Sequence, residues 1–195
     1  MTRLDAIAKA PATYADVLAA PAHMVAEVIH GELHLQPRPA PLHAKAYSAL
    51  TAKVGGPFDY DDDGPGGWII LAEPELHLGP DILVPDIAGW RRERMPALPE
   101  TAFFETVPDW VCEVLSPSTR LRDLTSKRDL YFAHGVGHLW LVDPDARILE
   151  GFRRTEAGWT LLAALADDEE VALEPFAAAP FGLAALWPPA PAEAR

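Results

Sequence analysis

The sequence predicts an α/β fold of the α+β kind, in which a mixed central sheet is flanked by helices and a β-hairpin stands near either end. Three observations carry this. The run WVCEVL at 110–115 is almost continuously apolar, as a strand covered on both faces must be. A helical pattern over 119–134 follows it and leads into a second apolar strand, HLWLVD, and strand, helix, strand implies a right-handed parallel crossover. Alternating runs meet at His30-Gly31 near the start, and ILEGFR faces WTLLAAL near the end, each pair reading as a hairpin.

The elements follow in chain order. In 22–37, MVAEVI and ELHLQ flank His30-Gly31, where glycine supplies the positive φ of a two-residue turn. From Pro41, Ala44, Tyr47, Leu50, Ala52 and Val54 recur at roughly helical spacing, and Gly55-Gly56 is expected to stop the helix. FDYDDDGPGG is a loop, and its aspartates lack the calcium-loop spacing with its closing glutamate, so they read as a solvated charge run. WIILA, ELHL and ILVPDIAGW are short β-type runs that fit an antiparallel meander, and RRERMPALPE is a charged connection. Ser116-Pro117 ends the central strand, and Gly135 closes the helix that comes after it.

Composition sets the class. With 195 residues, 49% hydrophobic and 23% charged, the chain can bury one ordinary core, so a single domain over 1–195 is expected, its core at about 14–186. The Pro/Ala-rich 187–195 reads as a disordered tail. One cysteine, Cys112, excludes an internal disulfide and a Cys-rich zinc cage, and the cytoplasm is the default compartment. Asp5, Lys9 and Asp16 interrupt any apolar stretch long enough for an export signal, and four prolines break the apolar segment 176–192, so no membrane span is expected. A net charge of −13 repels a polyanion over most of the surface, although a bound divalent ion reverses the charge a phosphate meets locally.

Glu113 is the sharpest anomaly, because an acid within an apolar strand costs on the order of 3 kcal/mol or more unless something pairs with it. Asp86 follows ILV and a proline and precedes IAGW, so it too lies on or beside a strand. Two neighbouring carboxylates raise at least one pKa unless a divalent ion or a lysine neutralises them. Lys127 borders the helical stripe of Leu124 and Tyr131, but Arg128 projects nearer its middle, and periodicity leaves open which base faces inward. His134 and His138 are separated by helix-breaking Gly135 and Gly137, and no HExxH, nucleophile elbow or phosphate-cradling glycine loop is present.

HGEL near the start, Pro85-Asp86, EVLSPST from Glu113 and RDLTSKRDLYFAHGVGHLWLVDP from Arg122 together resemble the Uma-two family. That family is grouped with restriction endonucleases in the PD-(D/E)XK nuclease superfamily. The resemblance implies a restriction-endonuclease-like core, with Asp86 and Glu113 as metal ligands for Mg²⁺ or Mn²⁺ and Lys127 as the catalytic lysine. It implies an endonuclease that hydrolyses phosphodiester bonds of DNA, working as a homodimer where both strands are cut. The superfamily's lysine usually stands two residues after the second acid, where this chain has Leu115. Glu32 resembles the family's GE element, with an outward polar residue as the plain alternative, and His43 falls where such proteins often have a histidine, one that could touch phosphate, with a surface histidine as the plain alternative. Asp123 reads first as an intrahelical partner of Lys127, four residues on, and Tyr131 as a core residue whose hydroxyl could hold Lys127 or Glu113. The competing function is a catalytically inactive binding or assembly module in which the same three residues form a buried ion-pair network.

Overall fold

A computed structural model describes residues 10–37 and 40–188. After a short helix α1 (Tyr14–Leu18), β1 (Met24–Ile29) and β2 (Glu32–Pro37) form the expected hairpin, with His30 and Gly31 at φ 52° and 77°. Helix α2 (Pro41–Phe58) begins at a proline, whose fixed φ suits the first turn. It does not stop at Gly55-Gly56: the backbone carries on to Phe58, which is 3% exposed and packs on Phe176 at a ring separation of 4.7 Å. Two helical glycines cost about 1 kcal/mol each, and burying one phenylalanine returns about 1.5–3 kcal/mol.

The strands β3 (Trp68–Ala72), β4 (Leu76–Leu78), β5 (Asp81–Leu83) and β6 (Ile87–Arg91) do not make the expected meander. β3 pairs directly with β6, from Trp68 opposite Arg91 to Ala72 opposite Ile87, while β4 and β5 leave for another sheet of order β2-β1-β5-β4. The proline at 74 lets the chain depart, and Leu76, Leu78 and Leu83 bury themselves in a second apolar cluster away from the first.

β6 then runs antiparallel to β7 (Trp110–Val114), which pairs in parallel with β8 (His138–Asp143), as the crossover requires. The connection is helical throughout its middle: α3 (Arg120–Arg122), a π turn (Asp123–Lys127) and α4 (Arg128–His134), closed by Gly135 at φ 90°. β9 (Ile148–Thr155) and β10 (Gly158–Ala166) complete a six-stranded mixed sheet of order β10-β9-β8-β7-β6-β3. β11 (Glu170–Val171) and β12 (Phe181–Gly182) form a small separate pair.

The larger sheet is covered on both faces. Trp110, Cys112 and Val114 of β7 join the cluster under α2, and Val111 joins the opposite cluster with Leu130 and Tyr131 of α4. Glu113 lies between Cys112 and Val114, so strand alternation sends it to the α4 side. The expected tail begins too early at 187, because Trp187 is buried and its indole N–H donates to the Asp167 carbonyl at 2.7 Å; residues 189–195 of that tail lie outside the described residues. Among the described residues no helix is long and apolar enough to cross a membrane.

Candidate active site

Sheet register brings the two predicted acids together. Ile87 stands opposite Cys112 and Ala88 opposite Val111, so one further step sets Asp86 across from Glu113. Asp86 Oδ2 accepts the Val114 N–H at 2.7 Å, which ties the first acid to the backbone beside the second. On the other side the Glu73 N–H donates to the Asp86 carbonyl at 2.8 Å, continuing the β3–β6 register. Three acidic residues therefore cross three adjacent strands in a row. They open on a cleft of about 220 Å³ whose lining includes His43, Asp123 and Lys127.

Lys127 arrives from the helix, not from the strand. Its ammonium lies 2.8 Å from Glu113 Oε1 and 2.9 Å from Glu27 Oε1, and it donates to the Val84 carbonyl at 3.2 Å. Lys127 is 1% exposed and Leu115, in the superfamily's usual lysine position, is an apolar member of the α4-side cluster. The π turn settles what periodicity left open. A wider turn displaces the following side chains around the axis, and Lys127 closes that turn facing the acids while the Arg128 guanidinium lies 4.5 Å over the Phe152 ring.

Each acid is held by its own partners. Tyr131 donates its hydroxyl to Glu113 Oε1 at 2.5 Å, so both contacts of Glu113 fall on one oxygen. His43 Nε2 lies 3.2 Å from Asp86 Oδ1, and its Nδ1 is buried without a hydrogen-bond partner. Glu27 is fully buried, accepts the Val84 N–H at 2.8 Å and has Arg122 3.6 Å from its second oxygen. Asp123 lines the cleft but makes no ion pair with Lys127, whose ammonium is taken by Glu27 and Glu113. The simple intrahelical pair is thus replaced by contacts from two strands. Glu32 sits elsewhere, exposed on the hairpin beside His34 at 3.9 Å and off the cleft.

Charge in the cleft is unbalanced. Burial alone would push the Lys127 ammonium down, but the charges of Glu113 and Glu27 outweigh it and hold Lys127 protonated well above its ordinary range. Burial pushes Glu113 up against the pull of Lys127, and the charges of Asp123, Asp86 and Glu27 push the same way. Asp123 is raised by burial too, against Lys127 and a hydrogen bond with Thr119. For His43, burial works downward and the hydrogen bond and charge of Asp86 more than offset it, leaving the imidazole above its ordinary value.

An anionic surplus presenting oxygen donors suits a hard divalent cation, and Asp86 and Glu113 are the two acids that sheet register sets side by side. Among the described residues no group of three or more His, Cys, Asp or Glu is arranged to hold a metal ion. Mg²⁺ is usually bound by one or two carboxylates and completes its shell with water, so this pair fits it.

Sequence reasoning missed two residues. Glu27 lies in VAEVI, an acid among β-formers just like Glu113 in VCEVL, and the same anomaly would have found it. Glu73 lines the cleft at φ 46°, a left-handed conformation uncommon for a long side chain, and nothing in its surroundings in the sequence signals it.

A mixed sheet with a buried acid on its central strand, a second acid in register beside it and a lysine brought from the crossover helix defines a restriction-endonuclease-like α/β protein. The chain belongs to the Uma2 family, described as "putative restriction endonuclease", whose model matches residues 13–185. The fold is similar to that of a crystal structure described as "a putative nuclease belonging to DUF820" from Anabaena variabilis. The two share 22% identity with a TM-score of 0.73, over 90% of this chain and 97% of that one. No curated protein matches this sequence.

Proposed function

We propose that this protein is a Mg²⁺-dependent endonuclease that hydrolyses phosphodiester bonds of DNA, with Mn²⁺ able to replace Mg²⁺. The observation that carries the reading is the placement of Lys127 on Glu113 while Asp86 stands opposite that same glutamate. A buried ion-pair network needs one acid per base, and this cleft carries more acid than its cations neutralise.

Asp86 and Glu113 would hold the ion. When bound, Mg²⁺ polarises a phosphoryl oxygen and makes an attacking water more acidic. The chain's own groups do the rest. The Lys127 ammonium, whose three N–H groups are taken by Glu27, Glu113 and the Val84 carbonyl, would act as a fixed positive charge beside the phosphoryl oxygens on which charge grows. His43 and the Val114 N–H orient the two oxygens of Asp86, and Tyr131 orients Glu113 through Oε1. On duplex DNA two chains would be needed to cut both strands, and light scattering with and without DNA reads out that pairing.

The test is nicking of supercoiled plasmid with Mg²⁺ or Mn²⁺ by the wild type, Asp86→Ala and Lys127→Ala. Nicking by the wild type that falls at least about 100-fold in both variants is expected, since each removes a group acting on the reacting phosphate. Equal nicking by all three, or none with any divalent ion, returns the protein to the inactive binding module.

A further inference from the structure

Beside the acidic cleft lies a second hollow of opposite character. It has a volume of about 320 Å³ and an apolar wall made by Pro41, Leu42, Leu115, Pro117 and Pro144. The two hollows adjoin, since Ala40, His43, Ser116 and Pro117 line both. Leu42 is 41% exposed here, at the second position of α2.

We infer that this recess receives an unpaired nucleobase next to the scissile phosphate, so that the preferred substrate is single-stranded or locally opened DNA. The inference rests on reading the acidic cleft as the phosphodiester site. A phosphate and the base of its own nucleotide lie only a few ångströms apart, so a backbone held through an ion on Asp86 and Glu113 brings a base or sugar within reach of the adjoining hollow. Three prolines and two leucines give the hollow an aliphatic wall that covers a base's apolar face without reading its edge, while His43, Ser116 and Asp145 also line it. In an intact duplex that face is covered by its stacked neighbours. Charge points the same way, because a net −13 chain repels a duplex, with its denser phosphates, more than a single strand.

Leu42 gives a clean probe. It is largely exposed, and an acid in the first turn of a helix is favourable, so Leu42→Asp leaves the fold intact while placing charge in the recess. A single-stranded DNA oligonucleotide carrying one 2-aminopurine, whose fluorescence rises when the base leaves its stack, reports occupancy with Ca²⁺, a divalent ion that also takes carboxylate oxygens, and the same strand with Mg²⁺ reports cleavage. The wild type is expected to bind the strand with a fluorescence rise and to bind the matched duplex more weakly. Leu42→Asp weakens strand binding by at least about 5-fold, since the base loses an aliphatic contact and meets a charge, and Leu42→Trp keeps or tightens it.

Equal binding and fluorescence in Leu42→Asp and wild type overturn the recess, even if the strand is cut. A Leu42-dependent fluorescence rise without cleavage under any divalent ion supports the recess and removes the hydrolase reading instead. No binding of the strand at all overturns both.

Discussion

Glu27 Oε1 lies 2.9 Å from Lys127 Nζ, joining the N-terminal hairpin to the crossover helix through a pair of side chains that are both almost wholly buried. The same glutamate oxygen accepts the Val84 N–H just before Asp86, so one carboxylate fixes both the lysine and the strand end that carries the first acid. Glu27→Ala is expected to cost about 3–5 kcal/mol, the range for leaving a buried charge short of its partner. Glu27→Gln keeps an acceptor for Val84 and should cost less, about 1–3 kcal/mol. Urea unfolding measures both, and equal midpoints for wild type and Glu27→Ala would show that the pair does not hold the fold.

Tyr131 and His43 are expected to act on the metal through the acids they touch. Tyr131→Phe removes the donor to Glu113 Oε1 and His43→Ala the one to Asp86 Oδ1. Each should weaken Mn²⁺ binding by about 10- to 100-fold, as loss of an orienting partner does in other metal sites. Tyr131→Phe should also lower stability by about 1.5–3 kcal/mol, because its bond is to a buried carboxylate. Calorimetric titration with Mn²⁺ separates these effects from folding, and unchanged affinity in both variants means that Asp86 and Glu113 do not share an ion.

Much of this site is legible in the sequence, and the reason is energetic. Glu113 stands out because burying an acid in VCEVL is costly, and Asp86 because its neighbours demand a strand. Lys127 is not decided by periodicity, since a uniform α-helix favours Arg128 and only the π turn over 123–127 presents the lysine to the acids. Glu27 carries the same anomaly as Glu113, but the hairpin's alternation suggests a solvated face, and only the crossover helix brings Lys127 against it. The meander fails for a related reason. Short strands around Pro74 and Gly79 contain no local preference for one partner over another, and the departure of β4 and β5 is decided by where their leucines find a core.

Asp143, at the end of β8, offers a pH test away from the cleft acids. Burial alone would raise its pKa, but the Ala146 N–H, the Arg120 guanidinium and the Asp145 N–H outweigh it and hold the carboxyl below its usual value. A carboxyl depressed in the folded state adds stability above its unfolded pKa of about 3.9, and that increment disappears as pH falls through the lower folded value. Asp143→Asn should therefore be less stable than wild type at neutral pH and converge with it in acid. Urea midpoints between neutral pH and pH 3 check this, and a constant gap across the range would mean that ionisation of Asp143 contributes nothing.

The position of the lysine can be tested by moving it. Leu115 is two residues beyond Glu113 on the same strand, about 6–7 Å along it and on the same face, and the stem of a lysine there is long enough to bring its ammonium back to Glu113. Lys127→Met alone leaves Glu27 and Glu113 buried without their shared cation and should cost about 3–5 kcal/mol, with loss of plasmid nicking. Adding Leu115→Lys is expected to restore part of both, because the charge returns to the same carboxylate from the strand side. Glu27 would keep only Arg122, 3.6 Å from its other oxygen, so recovery should stay incomplete, and Glu27→Leu in the same background should improve it further by removing an acid short of its closest cation. If Leu115→Lys recovers neither stability nor nicking, the space beside Glu113 is open only from the helix, and the π turn that delivers Lys127 cannot be replaced from the strand.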